Sequence, residues 1–425
     1  MSVGSSTEAS GSSASATTAS DSSTGAAVEC PDNVALEPFC YRKVPIAWDG
    51  ELATWWHGPS TARVGNFGPD GEEAFLLSEW DAGTPMALAF WNGAAFDVQP
   101  WGVMPELDRA GGRIPIRFFD GVHSDLLVGA GGPDPVIAVA PWTPDGPGEP
   151  LTAALPSSGH VISVFDQQPV LDVDGDGLEE FAVFYDDEVL YNGFEHYLVG
   201  NADGVPQFFG PLITHDGGCG EAGAQLGLGH FDGDAFLDLA ALGWCDVMNL
   251  DGEFAFAAEW GDGTGAFASV GKPFTGTSSA SWLGAGDFDD DGLDDVVIAM
   301  ASTGTYQGYI EVHRSHGDRT FAPAEEVWRE GSRPEDYLPT RNGAVPNDSH
   351  FIVGDIDNDG TDDLIFRRSL TTIVDVLGER SALTMFDIPW SQSVEVVSPF
   401  DFNHDGRLDF IVRDDSEGIY ALISS

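Results

Sequence analysis

Basic side chains are scarce in this 425-residue chain: 17 lysines and arginines stand against 70 aspartates and glutamates, a formal net charge of −53. Lys43 and Lys272 are the only lysines, and no Lys or Arg falls between Arg117 and Lys272. Such a surface repels polyanions, so nucleic acid and anionic lipid are excluded as partners. Long apolar runs are missing too: no stretch is long enough to span a bilayer as a helix, and the first residues have neither the basic nor the apolar region of a signal peptide. The sequence contains no G-x-S-x-G elbow, H-E-x-x-H pair or phosphate loop. Carboxylates are so frequent that no pair of them singles out a glycosidase site. There are four cysteines and no C-x-x-C, which speaks against zinc and dithiol redox chemistry. Two local disulfides, Cys30–Cys40 and Cys219–Cys245, are expected instead, and with them an oxidising compartment.

What the chain does have is apolar content for a large core, 42% of its residues. Residues 1–32 stand apart: through residue 29 they are almost entirely Ser, Thr, Ala and Gly with a little acid, the composition of a flexible tether. A tether of this kind follows an anchoring site, so a signal peptide or lipid-attachment cysteine is expected upstream and the protein at the cell surface or outside it.

The acid is not spread evenly. Residues 286–300 read GDFDDDGLDDVVIAM, with six aspartates in nine positions followed by a wholly apolar run. Carboxylates this close disfavour one another's ionised form, so the stretch needs open water or a cation. Asp287, Asp289 and Asp291 alternate, Gly292 permits a sharp turn, the Leu293 carbonyl can turn inward and Asp295 closes the loop. That is how a tight loop presents oxygens to calcium, which takes six to eight of them. A helix–loop–helix hand would need Glu at the twelfth position, where Ile298 stands, and VVIA reads as a buried strand.

The pattern D-x-D-x-D-G-x-x-D recurs with its apolar strand. The full ligand sets are Asp172, Asp174, Asp176, Leu178 and Glu180; Asp287, Asp289, Asp291, Leu293 and Asp295; Asp355, Asp357, Asp359, Thr361 and Asp363; and Asp401, Asn403, Asp405, Arg407 and Asp409. Leu178, Leu293, Thr361 and Arg407 contribute main-chain carbonyls. A weaker set is His230, Asp232, Asp234 and Asp238, where His replaces the first Asp and Ala235 the Gly. Decayed copies begin at Asn66 and near Arg117, so loop starts fall 46 to 68 residues apart. A second marker follows in several copies, a Gly-rich turn closed by Phe: WNGAAF, WGDGTGAF and SHGDRTF. Strand, loop, strand and hairpin make a four-stranded antiparallel blade, and the spacing predicts an all-β fold, a seven-bladed β-propeller over residues 33–425. Too few residues follow Asp409 to complete a last blade, so the N-terminal strand FCYRKVPIA, residues 39–47, is expected to close the ring.

These copies resemble the FG-GAP or VCBS-type repeats, which form the propeller of integrin α-subunit heads and of many bacterial surface proteins. The resemblance covers roughly residues 33–425 and implies one Ca2+ in each intact loop, about four ions. Saturated oxygen shells imply structural calcium, since metal catalysis needs an open position. Because the loops join first and second strands, they share one face. The opposite face would receive AWDGELATWWHGPS, THDGGCGEAGA and the insertion at about 328–348, which places Trp55, Trp56, His57 and Arg333 as candidate ligand-face residues. The resulting expectation is an exported, monomeric propeller that recognises a protein or a glycan. A polysaccharide-acting hydrolase or lyase and a purely structural surface module are the alternatives.

Overall fold

A computed structural model describes residues 34–36, 39–48, 64–78, 83–103, 110–130, 136–153, 161–163, 170–186, 194–214, 225–245, 253–269, 274–276, 279–301, 308–329, 351–355, 358, 360–369, 372–375, 384–387, 394–414 and 418–424. The tether, Cys30, Trp55, Trp56, His57, Cys219, Arg333, Asp357 and Asp359 lie outside these residues.

All regular structure among the described residues is β-strand, and the strands among them pair antiparallel. The chain is an all-β propeller. Consecutive strands form each sheet: Val64–Asn66, Glu73–Ser78, Pro85–Trp91 and Phe96–Val103 make one, and Ala110–Ile116, Asp125–Ala130, Val136–Ala140 and Leu151–Ala153 the next. Sheets follow over Val161–Thr214 and Gln225–Gly276. Two four-stranded sheets come after them, Ser279–Arg329 and Phe351–Asp387. In a last sheet, Val394–Phe400, Asp409–Asp414 and Gly418–Ser424 are joined by Phe39–Pro45, which pairs with Gly418–Ser424 from Tyr41 opposite Ser424 to Pro45 opposite Tyr420.

The apolar run after each loop has a simple cause. In Asp295–Ala301, Val296 and Ile298 pack with Phe231, Ala240 and Trp260 of the preceding sheet, while Val297 and Ala299 pack with Phe288, Val312 and Leu364 towards the following one. Side chains alternate between two cores, so a strand covered on both faces reads as continuously hydrophobic. A further cluster joins Phe75, Leu77, Ala87 and Ala89 to Phe402, Ile411, Ala421 and Ile423, and so unites the sheet near residue 64 with the last one.

Six of the loops are also anchored by their second residue. Phe67, Phe118, Val173, Phe231, Phe288 and Phe402 are all buried, so the x of the first D-x-D is an apolar plug that drives the acidic loop onto the core. Neighbouring sheets are registered by the eighth loop position. The Asp294 amide donates to the His230 carbonyl at 3.1 Å and its carboxylate accepts the His230 amide at 2.6 Å. Asp362 does the same to Asp287 at 2.7 and 3.1 Å, Glu179 to Arg117 at 2.8 and 2.7 Å, and Ser124 to Asn66 at 2.7 and 2.8 Å. The glycine that precedes the loop makes room for this contact: a Cβ at Gly286 would lie 2.6 Å from the Asp362 carboxylate.

Glu259 on Glu253–Gly261 belongs to none of these devices. It is buried, and its Oε2 has no hydrogen-bond partner among the described residues. Burial alone pushes its carboxyl up to about 7, against about 4.3 in an unfolded chain. The folded protein therefore holds this proton more tightly than the unfolded one. The associated stability is complete below about pH 4 and is lost as pH rises towards 7. Glu259→Gln cannot titrate, so it should gain roughly 2 kcal/mol on wild type as pH is raised from 5 to 8. Denaturant melts across that range check this; parallel pH profiles for the two proteins would overturn it.

Candidate metal centre

The loop conformation explains its residue types. The fourth position is left-handed in five loops, with Gly175 at φ 74°, Gly233 at 74° and Asp290, Asn358 and His404 each at 57°. These are residues that tolerate that region, glycine at no cost and Asp, Asn or His at a modest one. The sixth position is left-handed glycine at Gly177, Gly292, Gly360 and Gly406. Together the two turns fold the loop back so that its first carboxylate receives its own amides: Gly177 donates to Asp172 at 2.9 Å, Gly292 to Asp287 at 2.9 Å, Gly360 to Asp355 at 3.0 Å and Gly406 to Asp401 at 2.9 Å.

Among the described residues, two loops gather three carboxylates. Ligand oxygens of Asp172, Asp174 and Asp176 lie within 4.8 Å of one another, and so do those of Asp287, Asp289 and Asp291. In the first set Asp172 Oδ1 is buried with no hydrogen-bond donor among the described residues. An ionised oxygen in that state is costly unless a cation meets it, so these residues fit a hard divalent ion. Burial, with the neighbouring carboxylates adding to it, holds Asp174 above its usual range.

The ninth-position acid has a second duty. Glu180 accepts the Val173 amide at 2.9 Å, and burial lifts its carboxyl to about 7. Asp409 accepts the Phe402 and Ser424 amides at 2.9 and 2.6 Å and is lifted to about 6 by burial. Asp238 accepts Phe231, Asp232 and Gly261, and Asp295 accepts Ser315. Asp125, in a loop with no ligand set, likewise accepts Phe118, Phe119 and Trp142. At Asp125, Asp238, Asp295 and Asp409 this carboxylate therefore pins its loop to the end of the third strand of the sheet.

The remaining predicted ligands are treated unequally. Arg314, 23% exposed, donates to Asp295 at 2.6 Å and stands 3.9 Å from Asp289, so the loop at Asp287 holds a guanidinium beside two of its ligands. In the last loop Asn403 donates to the Ser424 carbonyl at 2.8 Å, and the Ser424 hydroxyl lies 3.0 Å from Asp405. The Arg407 amide donates to Asp405 at 3.0 Å as the Leu178 and Leu293 amides donate to Asp176 and Asp291 at 2.8 and 2.9 Å. Asp355, Thr361 and Asp363 are placed, the last two buried, while Asp357 and Asp359 fall outside the described residues. His230 turns its Nδ1 to the Phe236 carbonyl at 3.0 Å. Cys30 and Cys219, the expected partners of Cys40 and Cys245, lie outside the described residues.

Sequence reasoning missed the eighth-position contacts and the arginines. Polar residues at Ser124, Glu179, Asp294 and Asp362 were a visible signal for the first, beside Leu237 and Leu408 in the same place. No helix among the described residues is long and apolar enough to cross a membrane.

Residues 287–366 match the model of the FG-GAP-like repeat family. No curated protein matches the chain. Among solved structures it is similar to the Dos1 propeller, at 10% identity over 86% of this chain and 84% of that one, with a TM-score of 0.44. A triple arginine-to-alanine mutant of AofleA from Arthrobotrys oligospora is 13% identical over 78% and 88%, with a TM-score of 0.40. A rhamnogalacturonan lyase of Bacillus licheniformis is 11% identical over 91% and 75%, with a TM-score of 0.33. By its own sheets the chain is a β-propeller, and residues 287–366 carry an FG-GAP-like repeat.

Proposed function

We propose that this protein is an exported, calcium-stabilised propeller that recognises a protein or a glycan on the face opposite its acidic loops. The observation that carries the calcium reading is the convergence of Asp172, Asp174 and Asp176 around a buried, unpartnered Asp172 oxygen. The ions would occupy the loops that start at Asp172, Asp287, Asp355 and Asp401, about four in all. They would neutralise carboxylates that otherwise repel, so their role is structural. We further propose that the sheets are seven blades of one ring, with Phe39–Pro45 closing it. The pairing of that strand with Gly418–Ser424 supports this, as does the core shared by Phe75 and Ile411.

The fold supports recognition on the opposite face. Loops there are not committed to metal, and loops held on a rigid scaffold are where binding residues concentrate. Binding of the purified protein to a broad glycan array in millimolar calcium, repeated with chelator, tests this reading. Calcium-dependent binding that is lost on changing Trp55 and Trp56 supports glycan recognition. Absence of glycan binding by protein that is demonstrably folded overturns it in favour of a protein ligand.

A further inference from the structure

The loop that starts at His230 lacks the first aspartate and the sixth glycine of its fellows, yet it keeps Asp232 and Asp234. Asp232 has a side chain only 5% exposed. A carboxylate so buried must be paired or neutralised. Its partner comes from the next sheet: Arg319 Nε donates to Asp232 Oδ2 at 2.8 Å, and Arg319 Nη2 stands 3.9 Å from Asp234 Oδ2. The same guanidinium lies over the Trp260 ring, 5.7 Å from its centroid.

Arg319 sits in the turn of SHGDRTF, and the matching position in WGDGTGAF is Gly265. Both are left-handed, Gly265 at φ 77° and Arg319 at φ 69°. That region suits glycine and penalises arginine. Gly265 overhangs the preceding sheet, with Leu198 3.9 Å from where its Cβ would be, and it brings no side chain towards the three carboxylates at Asp172, Asp174 and Asp176. The turn with glycine accompanies the complete acidic set; the turn with arginine accompanies the incomplete one.

We infer that Arg319 is a resident cation which replaces a metal ion in the His230–Asp238 loop. Its charge meets the second and third carboxylates of the loop, the two that the missing first aspartate cannot help to bind. This loop therefore needs no calcium, and its order is carried by a side chain from the neighbouring sheet. The ion pair also ties the two sheets together, next to the hydroxyl of Ser315, which donates to the Phe231 carbonyl.

The sign of one melting shift decides the matter, measured in chelator so that calcium in other loops has no part in it. If the guanidinium did nothing, Arg319→Gly would relieve the left-handed backbone and raise the melting temperature. As a resident cation its loss should lower it, by about 2 °C or more. Asp232→Asn removes the acid that the guanidinium serves, so adding Arg319→Gly to it should lower the melt no further. An Arg319→Gly protein that melts at or above wild type overturns the inference, and so do substitutions that simply add. Arg319→Lys keeps the charge without the fork and should melt between wild type and Arg319→Gly; should the glycine variant not fold, a lysine variant indistinguishable from Arg319→Gln overturns the inference.

Discussion

Chelating calcium should lower the melting temperature of this protein by roughly 10 °C. Extracellular calcium modules bind with dissociation constants of about 0.1 to 1 mM, and free ion at ten times that constant stabilises each site by about 1.4 kcal/mol. Four proposed sites contribute about 5 to 6 kcal/mol, a large share of the 5 to 15 kcal/mol that holds a typical domain. The physical source is visible at Asp172, Asp174 and Asp176, whose oxygens crowd within 4.8 Å. Without a cation these groups repel, and the buried Asp172 Oδ1 is left unmet. Magnesium demands octahedral geometry and sheds its water reluctantly, so it should restore little of the loss. Asp172→Asn with Asp176→Asn should remove about a quarter of the calcium effect. Identical melts in calcium and in chelator would remove the structural role of the ion.

The calcium response should also be uneven, because the loops differ in what already neutralises them. Arg314 lies beside Asp289 and Asp295, whereas among the described residues no basic side chain pairs with Asp172, Asp174 or Asp176. An incoming ion must compete with that guanidinium at one loop and with nothing comparable at the other. The loop at Asp172 is therefore expected to fill first as calcium is added.

Much of this was legible in the sequence because the repeat is written in local chemistry. Alternating acids, a glycine at the sixth position and a β-branched run mark loop and inner strand within a dozen residues, and each has a single cheap conformation that fits. The all-β fold and the hairpins that end in Phe96, Phe267 and Phe321 followed from the same signals. What could not be read are contacts between copies. That Asp294 grips His230 and Arg319 meets Asp232 depends on which sheet stands beside which, and these partners are 64 and 87 residues apart. The ninth acid could be read as a candidate ligand but not as a pin, since its acceptance of the Ser315 or Ser424 amide is set by the end of the third strand. Arginine in a turn gave no warning, because a positive φ at residue 319 is visible only once the backbone is built.

Removing residues 1–47 should abolish cooperative unfolding altogether. Among the described residues the strand Phe39–Pro45 has no partner in its own part of the chain beyond the three-residue Val34–Leu36; its main pairing is with Gly418–Ser424 at the other end. It buries Tyr41 and Val44, and Ile46 follows just beyond it. Full burial of such side chains is worth about 1.5 to 3 kcal/mol each, so these three alone approach the net stability of a domain. Tyr41 also donates its hydroxyl to the Leu408 carbonyl at 3.2 Å, and the Lys43 ammonium lies 3.8 Å from the centre of the Tyr420 ring. Without this strand Gly418–Ser424 becomes an open edge bearing the apolar run Ile419–Ile423, a template for association. Tyr41→Ala gives a graded version, expected to cost about 3 to 5 kcal/mol while leaving the strand in place. A peptide of residues 34–48 added to the truncated chain should restore the transition by filling the vacated edge. If instead the truncated chain melts as the whole one does, the ring does not depend on this strand, and the pairing seen at Tyr41 to Pro45 is an accessory to a closure made elsewhere.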